Sequence, residues 1–298
     1  MTTYKNSYFE GERPLFGQHD ADVENVTFGK GESPLKEGRN LNVRGSIFTW
    51  KYPLWYCKNV EVSDTVFETM SRSGIWYTDK IHMKDCDLQA PKLFRRCKGV
   101  SLERVHFADA EETMWTCKDI SMNHVQAVGN YFGKDSSGIR LDDVHIVGNY
   151  CFDGASDIEA HHCVFVSKDA FWNCENVTIY DSVLDGEYLA WNTKNLTLVN
   201  CTIESDQGLC YTDHLKMSGC RLLRTDLAFE YCSDVNAKID GDIMSVKNPL
   251  SGSIQARHIG EVIVDATKVD PKRSVISSAI EPDRLISSSD TNNTGTAA

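Results

Sequence analysis

Residues 196–203 read Leu-Thr-Leu-Val-Asn-Cys-Thr-Ile. Apolar side chains fall at Leu196, Leu198, Cys201 and Ile203, so the offsets from the first are zero, two, five and seven. A step of two is a strand with one buried face, and the wider gap is a bend between two short strands. The phrase returns as Val100, Leu102, Val105 and Phe107, as Ile120, Met122, Val125 and Ala127, as Ile158, Ala160, Cys163 and Phe165, and as Leu215, Met217, Cys220 and Leu222. Taking its first residue as position zero, the zeros stand at Ala21, Leu41, Val60, Ile81, Val100, Ile120, Ile139, Ile158, Val177, Leu196, Leu215, Val235 and Ile254, in steps of 19 to 21 residues. So short and regular a period points to a solenoid in which each repeat is one coil stacked on the last.

The other columns complete the coil. Offset four carries Asn25, Gly45, Asp64, Asp85, Asp143, Asp181, Asn200 and Gly219, and position minus one carries Asp20, Asn40, Asn59, Gly99, Asp119, Asp157, Asn176 and Asn195. These residue types tolerate left-handed backbone and mark two corners. Position minus six is apolar (Leu35, Leu54, Ile75, Phe94, Met114, Phe152, Phe171, Leu209, Phe229), and position minus three is small. Three short strands with corners predict an all-β, right-handed parallel β-helix of about 13 coils. Pentapeptide-repeat helices need an apolar residue at every fifth position, a rule this chain breaks between offsets eight and thirteen. The β-helix is expected over residues 1–275, including an N-terminal cap; the Ser-, Thr- and Asn-rich residues 276–298 read as a disordered tail.

The net charge of −12 argues against nucleic acid as a partner and disfavours anionic membranes. No apolar stretch is long enough to span a bilayer, and the polar start MTTYKNSYFEGERPLF has no signal core, so a cytoplasmic setting is expected. Nine of the eleven cysteines fall in two inward columns, Cys57, Cys97, Cys117, Cys174 and Cys232 at minus three and Cys86, Cys163, Cys201 and Cys220 at offset five, where cysteine serves as a small reduced hydrophobe. No metal-ligand pattern and no cofactor motif appears.

Function in a solenoid is sought in columns. Position minus five carries Trp55, Trp76, Arg95, Trp115, Trp172, Trp191 and Glu230; position minus four carries Tyr56, Tyr77, Asn173, Asn192 and Tyr211. Just outside them stand Arg72, Lys92, Glu111, Glu112, Lys168, Asp169, Glu187, Asp206 and Asp226. One reading is a groove for an oligo- or polysaccharide, in which rings stack on sugar faces and charged groups bind hydroxyls. In that reading the rings and amides bind substrate. Arg72, Lys92, Arg95, Glu111, Glu112, Lys168, Asp169, Glu187 and Glu230 are then the candidate catalytic groups. Carboxylates in successive coils, Glu187, Asp206 and Asp226, would stand about 5 Å apart and suit glycoside hydrolysis. Arg72, Lys92 and Arg95 beside Glu111 and Glu112 would suit proton removal next to a uronate carboxyl, as in a lyase or epimerase. The other reading is a non-catalytic interaction solenoid whose rings ladder on one another or on a second copy.

The phrases GERPLF, ESPLKE, YPLWY, SGIWY, NYFGKDSSGIR, GNYCFDG, SKDAFWN, GEYLAWN, ESDQGLCY, LAFEY and SVKNPLSG carry a resemblance over nearly the whole chain. The chain resembles an uncharacterised bacterial family, a domain of unknown function, of single-domain right-handed β-helix proteins in the pectate-lyase-like superfamily. That resemblance implies the fold. The wider superfamily holds polysaccharide lyases, epimerases and glycosidases, but fold alone does not transfer activity. The calcium-binding aspartate cluster of pectate lyases has no counterpart here, so the resemblance does not extend to that reaction.

Overall fold

A computed structural model describes residues 2–287. The chain is a parallel β-solenoid of about 15 turns, two more than the repeat suggested. Among the described residues the one helical element is a single turn at Pro271–Arg273. Contacts divide the chain into two units, Met1–Ile158 and Glu159–Ala298.

In the first unit the main strands are His19–Glu24, Arg39–Arg44, Lys58–Ser63, Asp79–Lys84 and Lys98–Glu103, followed by the long strands Lys118–Val128 and Ser137–Val147. They pair in parallel and in the register the repeat predicts: Ala21 on Leu41, Leu41 on Val60, Val60 on Ile81, Ile81 on Val100, Val100 on Ile120 and Ile120 on Ile139. Strand Thr2–Lys5 adds a turn ahead of the first zero, with Thr2 against Ala21. Side chains alternate in and out, and the inward set is buried. Two-residue strands after each bend carry the inner phenylalanines; Phe28 stacks on Phe48 at 4.8 Å, and Phe48 packs at a tilt on Phe67 at 4.8 Å.

The second unit repeats this with Glu175–Tyr180, Lys194–Val199 and the 14-residue strand Asp213–Asp226. Val177 stands on Leu196, Leu196 on Leu215 and Leu215 on Val235. There the period breaks. Glu204 pairs with Leu223 but Asp206 pairs with Asp226, so the later strand carries an extra residue, a β-bulge. Val235 then pairs with Gly252, and Ile254 lies against Ala237 rather than Val235. The last zero of the sequence repeat is therefore two residues out of register. Strands Ser274–Ser278 and Arg284–Ser287 still pair, with Gly252–Ala256 and His258–Val264. Strand pairing thus runs past residue 275; residues 288–298 of the expected tail lie outside the described residues.

Leu198, Ile203, Phe165, Phe171 and Phe229 are fully buried, as their columns require. All eleven cysteines are free and buried. The predicted corners have left-handed backbone: φ is +53° at Asn25, +50° at Asp64, +52° at Asn40 and +54° at Asn59. Three further columns turn the same way, one of them position minus six, with Met114 (φ +62°), Phe152 (+61°), Phe171 (+57°), Leu209 (+65°) and Phe229 (+67°). Position minus four includes Tyr56 (φ +58°), Tyr77 (+58°) and Arg96 (+53°), and position minus eight includes Ser73 (+52°), Lys92 (+59°) and Glu112 (+49°). No helix among the described residues is long and apolar enough to cross a membrane.

Candidate functional site

In the first unit, register places the minus-five side chains one above another: Trp76 pairs with Arg95, and Arg95 with Trp115. Trp55 stacks on Trp76 with centroids 5.2 Å apart and planes 9° apart. The Arg95 guanidinium lies between two rings, 4.7 Å from Trp76 and 4.6 Å from Trp115. Tyr52 covers the other side of Trp55 at 4.5 Å. Each indole also donates its N–H to a backbone carbonyl of the next coil: Trp55 to Ser73 at 2.5 Å, Trp76 to Lys92 at 2.9 Å and Trp115 to Tyr131 at 2.6 Å. Both faces of Trp55 and of Trp76 are therefore occupied from within. Sugar stacking needs a free ring face, and these two rings offer solvent mainly their edges.

Three of the charged candidates, Lys92, Arg95 and Glu112, are tied to the ladder. Glu112 Oε2 sits 3.0 Å from Lys92 Nζ and 3.5 Å from Arg95 Nη2. The Arg95 nitrogens Nε and Nη2 are buried and make no aligned hydrogen bond, so the guanidinium is held by the two rings and the Glu112 charge. Glu111 accepts from the Asn130 backbone N–H at 2.9 Å. Arg72 is exposed and its carbonyl accepts from Tyr52 N–H at 3.5 Å. Tyr56 and Tyr77 stack at 4.8 Å and 3° on the adjoining corner.

In the second unit Trp191 packs edge-on against Tyr188 at 5.7 Å and tilted against Tyr211 at 5.0 Å. Asn192 donates to Asn173 at 2.9 Å, an amide ladder along the corner. Trp172 is half-buried. Glu230 pairs with Lys247 at 3.0 Å, and Asp169 is buried. Lys168 reaches Glu187 at 3.0 Å and lies 5.4 Å over Tyr188. The hydrogen bond that Lys168 donates to the Glu187 carboxylate raises the Lys168 pKa above its ordinary value.

Glu187 leads to an open, charge-lined cleft. This cleft, of about 510 Å³, is lined by Asp185, Glu187, Glu204, Asp206, Asp226 and Arg224, with Gly186, Ser205 and Met244. The carboxylates form two columns. Asp185 pairs in register with Glu204, and Asp206 with Asp226. Glu187 heads the second column, since the Tyr188 N–H donates to the Asp206 carbonyl at 3.0 Å. Gly186 is required between them: its φ is +153°, and a Cβ there would fall 2.1 Å from the Ser167 carbonyl oxygen. Arg224 pairs with Glu204. Asp226 Oδ1 accepts from Leu227 N–H at 2.8 Å and from the Ser245 hydroxyl. No side-chain partner of Asp206 stands among the described residues. The cleft shares Arg224 and Met244 with a second hollow of about 530 Å³ that Leu223, Asp242, His258 and Asp283 help to line. Among the described residues no group of three or more metal-ligating side chains is placed to hold an ion.

Of the candidate catalytic residues only Glu187 lies in this cleft; Asp206 and Asp226 join it from the minus-nine column, while Lys92, Arg95 and Glu112 belong to the first unit's ladder and Arg72 and Glu111 lie in that unit outside it. Sequence reasoning missed Asp185, Glu204 and Arg224. The signal for Asp185 and Glu204 is at offset eight, an outward column that elsewhere carries Val128, Val147 and Val166 and here turns acidic.

A parallel β-solenoid with an open, charge-lined cleft is the class that this fold and site define. Residues 2–277 match the family described as "Protein of unknown function (DUF3737)", and the chain belongs to it. A search of curated proteins found no match. Similar solved structures include PfbA, a surface adhesin of Streptococcus pneumoniae, at 9% identity and TM-score 0.36, covering 78% of this chain and 72% of that one. Another is the A-module of the mannuronan C-5 epimerase AlgE4 of Azotobacter vinelandii, at 10% identity and TM-score 0.32, covering 96% and 90%. A third is an exopolygalacturonase of Thermotoga maritima, at 10% identity and TM-score 0.33, covering 97% and 84%. Likeness at this level carries no argument about activity.

Proposed function

We propose that the protein is a carbohydrate-active solenoid and that the acidic cleft, not the tryptophan ladder, binds a neutral saccharide and hydrolyses it. The observation that carries this reading is the in-register pairing of Asp185 with Glu204 and of Asp206 with Asp226 at an open cleft. Like charges directly opposite each other cost roughly 0.2–1 kcal/mol per pair, so the array opposes folding. Five carboxylates against Arg224, itself paired with Glu204, repel a uronate. That favours glycoside hydrolysis over lyase or epimerase chemistry, which needs cations around the substrate carboxyl.

Adjacent coils bring carboxyls to about 5 Å, the separation that suits retention of configuration. In this reading Asp206 protonates the glycosidic oxygen as the C–O bond breaks. Asp226, oriented by its two donors, attacks the anomeric carbon and forms a glycosyl ester. Water then displaces the ester, and Asp206 takes its proton. Lys168 holds Glu187 beside the pair, where the carboxylate accepts sugar hydroxyls. A cytoplasmic setting belongs to the same proposal and is supported by the free thiols.

The second reading, a non-catalytic interaction solenoid, is favoured by the covered faces of Trp55 and Trp76. A glycan array separates the two. The first reading expects neutral glycans to bind, uronate polymers to fail, and Asp206→Asn to keep binding. A blank array together with a solution mass above that of one chain supports the second, and preferential binding of uronates overturns the charge argument.

A further inference from the structure

The first unit holds a hollow that the cleft reading does not use. It measures about 410 Å³ and is lined by Glu37, Arg39, Tyr56, Lys58, Tyr77 and Asp79. Register explains the arrangement. Arg39 pairs with Lys58, and Lys58 with Asp79, so two cations stand in successive coils with an acid after them. The Tyr56–Tyr77 stack runs parallel to that column, two residues earlier in each coil. Its two ends are closed by cations, Lys36 at 5.6 Å over Tyr56 and Arg96 at 5.9 Å over Tyr77. The ring faces are thus filled. What the tyrosines add to the hollow is their phenol edges.

Arg39 and Lys58 are exposed, and among the described residues neither has a carboxylate within ion-pair distance. Two unpaired like charges opposite each other on a parallel ladder are unfavourable, and this pair stands in a chain whose net charge is −12. An anion between them removes the repulsion. A guanidinium fork, an ammonium and two phenols present more donors than the two oxygens of a carboxylate can accept. A group with three oxygens and a charge near −2 matches both the donors and the two cations, which is the description of a phosphate monoester. Glu37 and Asp79 at opposite corners of the hollow set the size of the ligand. They repel a second anionic group, which excludes a polyanionic chain, and they are acceptors for hydroxyls.

We infer that this hollow binds the phosphate monoester of a small polyhydroxylated molecule, a sugar phosphate in chemical class, with Arg39 and Lys58 on the phosphate and Glu37 and Asp79 on the hydroxyls. The site lies within the first unit and stands independently of the acidic cleft.

Isothermal titration and ligand-observed NMR on the full chain test this with four probes: a hexose monophosphate, the corresponding hexose sulfate, inorganic phosphate and the free hexose. The hexose monophosphate should bind at least about tenfold more tightly than each of the others. Its affinity should fall as salt is raised from about 0.05 to 0.3 M, because the site is exposed. Arg39→Gln with Lys58→Gln should weaken it about tenfold or more. Both substituted side chains are exposed, so the urea midpoint of the double variant should hold or rise as the repulsion is removed. No binding of the hexose monophosphate at about 10 mM overturns the inference. So does equal affinity for inorganic phosphate or for the sulfate ester, and so does binding that survives the double substitution.

Discussion

Replacing Phe171 exposes how this solenoid trades backbone strain against burial. The side chain is fully buried and meets Phe165 edge-on, with centroids 5.0 Å apart. Its backbone, at φ +57°, is left-handed. Phe171→Ala should cost about 3–5 kcal/mol through lost burial and the cavity left behind. Alanine retains the left-handed penalty, about 1–2 kcal/mol for a residue with a Cβ. Glycine escapes it, losing instead roughly 0.5–1 kcal/mol of chain entropy and about 0.8 kcal/mol of methyl burial. The two sets nearly cancel, so Phe171→Gly should be within about 1 kcal/mol of Phe171→Ala. Ile179 supplies the control: it is equally buried, lies in strand Glu175–Tyr180, and is not among the left-handed residues. There glycine should fall below alanine by about 1–2 kcal/mol. Urea unfolding of the four variants measures the difference. If Phe171→Gly falls as far below Phe171→Ala as Ile179→Gly falls below Ile179→Ala, the left-handed column does not store the strain assigned to it.

Arg95→Gln removes a cation held between Trp76 and Trp115 and should cost about 1–3 kcal/mol in urea unfolding while red-shifting tryptophan emission; an unchanged midpoint contradicts the sandwich. Burial pushes the Cys57 thiol up to about 12, Cys86 to about 11 and Cys210 to about 12. The unfolded chain releases these protons near pH 9 while the folded chain holds them, so stability should fall as pH rises from about 9 towards 11. A urea midpoint that is flat over that window contradicts it. Native protein should also resist alkylation at pH 8 until denaturant is added; rapid labelling without denaturant would mean that the thiols are not inward. Lys168→Met frees Glu187 from its ion pair and should weaken saccharide binding severalfold without lowering the urea midpoint by more than about 1 kcal/mol, since both groups are exposed; unchanged binding removes Glu187 from the site.

The fold was legible because burial repeats in it. The zeros Ala21 to Val235 and the corners at Asn25, Asp64 and Asn59 follow from apolar spacing and from residue types that favour left-handed backbone. The corner at position minus four was not, because Tyr56, Tyr77 and Arg96 are poor turn formers by type. Stacking and cation contacts between coils hold them there, and a single repeat does not display these. Ile254 misled the register because an apolar residue stood 19 positions after Val235 while the coil itself had shortened to Gly252. The aromatic columns were found, yet composition could not say whether the rings face one another or solvent. The cleft was half-visible: Glu187, Asp206 and Asp226 stood in one column. Asp185 and Glu204 needed the outward valine column for comparison, and Arg224 needed the bulge that sets Asp206 against Asp226.

The measurement that bears most directly on the cleft is the release of new reducing ends from a panel of neutral and uronic polysaccharides by the wild-type chain and by Asp206→Asn, with the anomer formed first read by NMR. The account predicts reducing ends from a neutral polysaccharide alone, the substrate's own anomeric configuration in the first product, and loss of turnover with retained binding in Asp206→Asn. Release from uronate polymers only, or equal turnover by Asp206→Asn, would contradict it.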